Sequence, residues 1–350
     1  MKKKKIFWLF SILILSITIY SYFYIKHLTT TTYGKVDTIF CVMLKLGKCF
    51  NPISLENKSI YEIRASLHDS IAMWSSKPIS FANIKNREVK TSLGQVPVRI
   101  YTPDKGNNFP IIIYSHGGSW VSGNLDDYEN VCRKLSKQSK AIVVSVNYRL
   151  APEYSFPAGL NDVYNVFLWA SKNAESINGN SNLICLVGDS AGANLSAVVS
   201  QMTRDKVGPH VTSQVLIYPS TNISELNTKS WQYFGIDYNL NRDNCYDFIS
   251  LYAPILEDRK NEYASPLLSK SFKDLPNTLI ITAQFDPLRD EGEAYGNKLR
   301  QTGIDVVFRR YNGVTHGFIT MDKITKKADQ AIIEISSYLQ KQFIKNKIKS

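Results

Sequence analysis

The spacing of apolar and polar positions along the chain changes several times, and each change marks a different element. Residues 88–92 and 96–101 alternate apolar and polar around Leu93, Gly94 and Gln95. A period of two broken by a tight turn predicts a β-hairpin. Six further strand-like runs follow, at 111–114, 141–146, 183–187, 215–218, 278–283 and 306–311. Runs that are largely apolar and β-branched suit strands covered on both faces, as in a parallel sheet. Helix-permissive stretches separate most of them, which is the βαβ alternation of an α/β fold with helices on both faces of a mostly parallel sheet. The interval 220–262 breaks this alternation. It is polar and aromatic, and Trp231, Tyr233, Phe234, Phe248 and Tyr252 make it too aromatic for a disordered loop. It is expected to be a cap insertion, joined in space by the segment around 50–85.

The chemistry sits where these strands end. Gly188, Asp189, Ser190, Ala191 and Gly192 match G-x-S-x-G between the apolar run 183–187 and a helix-permissive stretch from 191 to 202. Strand, sharp turn and helix is the context in which this motif presents a nucleophilic serine. A serine hydroxyl needs a base at neutral pH, and the base needs an orienting acid. Asp286 follows the run 278–283, and His316 follows 306–311 in a loop of small residues. Serine, acid and histidine thus each stand after a strand, in one of the known chain orders of the triad. Asp290 and Glu291 are rival acids, placed in the first turn of the next helix, where the dipole favours them. Of five histidines, His27 and His68 precede the sheet, His210 follows Gly208 and Pro209 in a loop, and His116 belongs to a second motif. Elimination leaves His316 as the base. The second motif is His116, Gly117, Gly118, Ser119 and Trp120, after the strand at 111–115. Adjacent glycines let backbone N–H groups approach an oxyanion. The oxyanion hole is therefore expected at Gly117, Gly118 and Ala191.

Taken together, these segments carry a family resemblance. His116–Trp120, Gly188–Gly192, the DPLRDEG of 286–292, the HGF of 316–318 and the YRLAPEYSFPA of 148–158 resemble the hormone-sensitive-lipase-like esterases. That α/β-hydrolase group includes bacterial acetyl esterases and arylacetamide deacetylases. The resemblance spans about residues 85–320 and implies the α/β-hydrolase fold with Ser190, Asp286 and His316 as a catalytic triad. It also implies a serine carboxylic-ester hydrolase acting on short- to medium-chain acyl esters through an acyl-enzyme. An amide hydrolase, or a non-catalytic small-molecule-binding protein on the same scaffold, are the alternatives. Two positions depart from the family pattern. Ser119 stands where a third glycine is usual, and Ala193 where a second glycine often follows the elbow. Ser119 keeps a backbone N–H, so the hole can survive.

The N-terminus adds a location. Lys2, Lys3, Lys4 and Lys5 precede residues 6–25, twenty positions without a charge. That is long enough to span a bilayer core as a helix. Aromatic residues crowd its ends (Trp8, Tyr20, Tyr22, Phe23 and Tyr24), which suits a retained single-pass anchor better than a cleaved signal. The lysines put the N-terminus in the cytosol and the catalytic domain on the extracytoplasmic side; secretion after signal cleavage is the alternative. Three parts are expected: an anchor at 1–27, a linker and N-terminal cap segment at 28–85, and a catalytic domain at 86–345 with its insertion at about 220–262.

Composition changes little else. The net charge of +12 is partly these lysines and partly Lys341, Lys345, Lys347 and Lys349. No nucleic-acid reader motif accompanies it, so no nucleic-acid partner is expected. An ester substrate and the membrane are the expected partners. No Cys/His spacing suggests zinc and no glycine-rich phosphate loop appears, so neither a metal nor a cofactor is expected. Cys132 and Cys185 read as buried hydrophobes, while Cys41 and Cys49 are close enough in sequence to suggest a disulfide.

Overall fold

A computed structural model of the chain describes residues 2–49 and 58–348. In chain order, helix α1 (Lys2–Thr29) runs into a small hairpin, β1 (Thr30–Thr31) and β2 (Gly34–Lys35), then α2 (Thr38–Cys49) and α3 (Ile60–Trp74). The predicted hairpin is β3 (Asn83–Thr91) and β4 (Gly94–Thr102). There follow β5 (Phe109–Ser115), α4 (Glu129–Ser139), β6 (Ile142–Val146), α5 (Ala158–Asn173), β7 (Gly179–Asp189), α6 (Ala191–Asp205) and β8 (Ser213–Ile217). Two helices, α7 (Lys229–Phe234) and α8 (Arg242–Tyr252), occupy the interval that breaks the alternation. The chain then continues through β9 (Thr278–Phe285), α9 (Arg289–Gln301), β10 (Val306–Thr315) and α10 (Lys326–Lys347).

Eight strands form one sheet in the order β10-β9-β8-β7-β5-β6-β4-β3. β5 to β10 pair in parallel, and the hairpin is added antiparallel at the β6 edge. Alternation along each strand divides the core into two layers. Ile111, Ile113, Ile184 and Leu186 pack under α5 and α6 through Phe167, Leu195 and Val198. Ile112, Tyr114, Cys185 and Val187 face α4 and α10 through Leu135, Ile335 and Leu339. Cys132 and Cys185 are fully buried, as expected.

The register positions the site. Ser115 lies opposite Gly188, Asp189 opposite Ile217, and Thr315 opposite Phe285. The glycine loop, the elbow, the acid loop and the histidine loop therefore leave the sheet at one edge, the carboxyl end, where open α/β sheets hold their ligands.

Two expectations about the N-terminal part change. α1 continues to Thr29, and its window Phe10–Thr29 is the one helix among the described residues long and apolar enough to cross a membrane, by length and composition. Cys41 and Cys49 do not pair. The Cys41 thiol is free and buried, and it donates to the Leu28 carbonyl at 3.2 Å. Both cysteines lie on α2, and eight residues of helix separate them by about 12 Å along the axis. A disulfide spans Cα atoms at most about 7 Å apart. The Cys49 side chain and residues 50–57 of the expected cap segment lie outside the described residues.

Helix α6 crosses β5 at backbone contact. A Cβ on Gly192 would lie 2.0 Å from the Ser115 carbonyl oxygen and 2.4 Å from that of His116. Gly192→Ala must therefore push the helix off the sheet. It is expected to cost about 2–5 kcal/mol, read as a lowered midpoint in chemical denaturation.

Candidate active site

Ser190 stands between β7 and α6 with φ 55° and ψ −120°. Its N–H donates to the Ile217 carbonyl at 2.9 Å, which fixes the turn to the neighbouring strand. Small residues on either side permit this backbone: a Cβ on Gly188 would sit 2.3 Å from the Gly192 carbonyl oxygen.

His316 follows β10 in the loop where it was expected. Its Nε2 lies 2.9 Å from Ser190 Oγ, and its Nδ1 lies 2.8 Å from Asp286 Oδ2. The Asp286 carboxylate is fully buried, and its Oδ1 accepts the Leu288 N–H at 2.8 Å. A carboxylate cannot donate, so Nδ1 carries the proton and Nε2 is left to accept from the serine hydroxyl. Asn239 holds the loop from outside, its Nδ2 donating to the His316 carbonyl at 3.0 Å. The ring of Tyr218 meets the imidazole edge-on, 4.7 Å between centroids.

The rival acids lie elsewhere. Asp290 accepts the Ser230 N–H at 2.8 Å and pairs with Arg289. Glu291 is buried and accepts three N–H donors: Thr221 at 2.7 Å, Asn222 at 3.2 Å and the Trp231 indole at 3.0 Å. Both carboxylates begin α9 and fasten the segment 221–231 to it. Burial pushes the Glu291 carboxyl up to about 7, against the pull of its donors.

The glycine loop requires a correction. Gly117 does not offer its amide to the cavity, because that N–H donates to Asp189 Oδ1 at 2.9 Å. Among the described residues, the amides of Gly118 and Ser119 have no such acceptor, and both residues have positive φ (120° and 54°). Ala191 opens α6, where first-turn amides have no intrahelical acceptor. Gly118, Ser119 and Ala191 thus border the site with amides that have no acceptor among the described residues.

Asp189, the variable residue of the elbow motif, received no role from the sequence. It is buried and accepts from the Tyr114 hydroxyl at 2.8 Å as well as from Gly117. Burial pushes its carboxyl up to about 6, and the hydrogen bonds oppose that shift. One available signal was a carboxylate at the inner end of an apolar strand, a position that demands donors. His116 is buried between the rings of Tyr148 and Tyr128, at 4.3 and 5.5 Å. Its Nδ1 lies 2.8 Å from the Gly117 carbonyl, and burial pushes its pKa down to about 4. A neutral ring stacked in the core holds the loop, in keeping with His316 as the base.

Above Ser190 lies a cavity of about 160 Å³, bordered by His316, Gly118 and Ser119 and closed by Leu67, Ile71 and Trp74 of α3 and Phe248 of α8. A smaller recess of about 20 Å³ opens beside Ala191, against Leu226, Trp231, Ile249 and Leu288.

The alpha/beta hydrolase fold family matches residues 112–320. The chain belongs to the α/β-hydrolase family, in its hormone-sensitive-lipase-like branch. It is 32% identical over 279 residues to an arylesterase of Saccharolobus solfataricus, covering 79% of this chain and 90% of that one. It is 36% identical over 250 residues to the carboxylic ester hydrolase LipN of Mycobacterium tuberculosis, covering 70% of this chain and 66% of that one. The solved structure of a hyperthermophilic esterase from the archaeon Pyrobaculum calidifontis superposes with a TM-score of 0.84 at 32% identity, over 88% of this chain and 99% of that one.

The buried acid of α9 generates a prediction. Glu291 meets N–H groups at both oxygens, so an amide in its place turns an NH₂ donor toward another donor. Glu291→Gln is expected to lower stability by roughly 1–3 kcal/mol in denaturation at pH 8. The wild-type carboxyl titrates about 7 when folded and about 4.5 when unfolded. Stability contributed by this group therefore falls as pH rises through that window, and the Gln variant lacks that slope.

Proposed function

We propose that this α/β-hydrolase is a serine carboxylic-ester hydrolase with Ser190, His316 and Asp286 as its triad. The observation that carries the reading is the unbroken line from Ser190 Oγ through the His316 ring to Asp286, at 2.9 and 2.8 Å, on the floor of an apolar cavity. Esterase names among its relatives support the same reaction.

The geometry suits acyl transfer step by step. Ser190 Oγ attacks the ester carbonyl carbon while His316 Nε2 takes its proton. Asp286 holds the tautomer and stabilises the imidazolium that forms. The amides of Gly118, Ser119 and Ala191 receive the oxyanion. His316 returns the proton to the leaving alkoxide. A water, deprotonated in turn by His316, attacks the acyl-enzyme; the acyl–Oγ bond breaks, His316 returns the proton to Ser190 Oγ, and the acid is released.

The two recesses divide the substrate. The leaving oxygen must lie beside His316, which borders the larger cavity, so the alcohol occupies that side. The acyl chain is left to the recess beside Ala191, whose volume holds a group about the size of a water or a methyl. The substrates are then short-chain acyl esters, acetates foremost, of larger apolar alcohols. In this reading α3, α7 and α8 form the cap, from segments within 28–85 and 220–262. α1 anchors the enzyme in a membrane as a single pass, with the catalytic domain on the extracytoplasmic side.

Ser190→Ala is expected to lower turnover of an aryl acetate by about 10⁶-fold while circular dichroism stays unchanged. Asp286→Asn is expected to cost about 10⁴-fold, and Asp290→Asn far less. The opposite ranking of the two aspartates would move the acid to Asp290.

On a series of aryl esters from acetate to octanoate, kcat/KM is expected to fall by at least about tenfold. Leu226→Ala, which enlarges the smaller recess, is expected to move the optimum to longer chains. Rates that rise with chain length would assign the acyl group to the larger cavity.

A further inference from the structure

Helix α2 is apolar on two sides. Phe40, Cys41 and Met43 are buried on the domain in one cluster with Ile71 and Met321, which line the larger cavity. Ile39 and Val42, three residues apart on the same stripe, are 40% and 45% exposed, and the next position in that series is Lys45. A helix at a water-facing surface normally turns a polar face outward. Among its described side chains, this one turns out Thr38, Ile39, Val42 and Lys45.

Where the outer stripe sits tells what covers it. α2 is bonded to the last turn of α1: Cys41 Sγ donates to the Leu28 carbonyl at 3.2 Å, and Val36 N–H to the Thr29 carbonyl at 2.9 Å. Thr29 is also the end of the apolar window of α1. Ile39 and Val42 are therefore tied to the point where α1 would leave the hydrocarbon. Lys26 and Lys35 flank the same junction, a charge that complements anionic headgroups.

The junction has no slack. Tyr33 stacks on Tyr233 of α7 at 4.4 Å. Gln284 Nε2 donates to the Tyr33 carbonyl at 2.9 Å, Asp37 N–H donates to the Gly313 carbonyl at 2.8 Å, and Lys327 pairs with Asp37 at 2.5 Å. Gln284 and Gly313 are themselves bonded at 2.9 Å, two and three residues before Asp286 and His316. The segment fastens to the strand ends that carry the acid and the base.

We infer that residues 30–45 form a rigid bracket that seats the catalytic domain on an anionic bilayer surface, with Ile39 and Val42 in the interface and Lys45 among the headgroups. This rests on the reading of α1 as a membrane anchor. It goes beyond that reading, because an anchor alone leaves the domain free to tumble on its tether. The bracket fixes which face meets lipid, and because α2 belongs to the buried cluster that also holds Ile71 and Met321 of the cavity lining, the substrate cavity lies on the part of the domain turned toward the bilayer.

The test uses the full chain in vesicles of phosphatidylcholine and phosphatidylglycerol. An environment-sensitive fluorescent amino acid is incorporated at position 42, or at position 207 at the far end of α6, where the valine is 93% exposed. Position 42 is expected to shift to the blue and to be quenched by brominated lipid several-fold more than position 207. Equal behaviour of the two positions in a protein that floats with the vesicles would overturn the bracket and leave the anchor standing. A blue-shifted probe at 42 shielded from brominated lipid would put a second copy of the chain on this face, and would overturn it too. Failure to float after alkaline carbonate would overturn the anchor reading and the bracket together.

Discussion

A serine held at φ 55° and ψ −120° is the constraint around which the other parts of the site are arranged. Such a backbone costs of order 1–3 kcal/mol and persists only where its surroundings over-determine it. Here they do so from both sides. The Ser190 N–H is taken by β8, and Gly188 and Gly192 let the following helix close against the strand that precedes the glycine loop. The same close approach brings the start of α6 to the recess that Ala191 and Ser119 line together. One strained residue thus sets both the direction of the hydroxyl and the neighbourhood of the donors that would receive the oxyanion.

Buried carboxylates do the fastening. Asp189 ties the glycine loop to the elbow through the Gly117 amide, and Glu291 ties the segment 221–231 to α9 through three donors. Each carboxyl is raised by burial and held down by N–H or O–H groups aimed at it. A carboxylate so placed is an acceptor at both oxygens, a demand that few other side chains meet. This explains why acidic residues sit in a core that otherwise consists of aliphatic and aromatic packing.

The sheet and the three aligned residues were legible because each announces itself locally: an apolar run, then Ser190, Asp286 or His316 in a small or polar loop. The glycine loop was only partly legible. Its glycines mark where backbone amides can approach, but which amide stays free depends on the carboxylate of Asp189, seventy-two positions away in sequence from Gly117. Ser119, which looked like a departure from the pattern, keeps an amide with no acceptor among the described residues, whereas the Gly117 amide is taken by Asp189. Cys41 and Cys49 looked pairable by proximity in sequence, and the helix between them holds them apart. The interval 220–262 showed its aromatic residues, while its two helices and their docking on Glu291 are tertiary facts without a local signature.

The central claim is that the geometry around Ser190 activates that serine and no other. A fluorophosphonate probe followed by intact-mass measurement and peptide mapping addresses it directly, since phosphonylation needs both an activated hydroxyl and an oxyanion hole. The account predicts a single adduct on the peptide containing Ser190, and none when His316 is replaced by Asn. An adduct on a different serine, or labelling of Ser190 undiminished in His316→Asn, would contradict it.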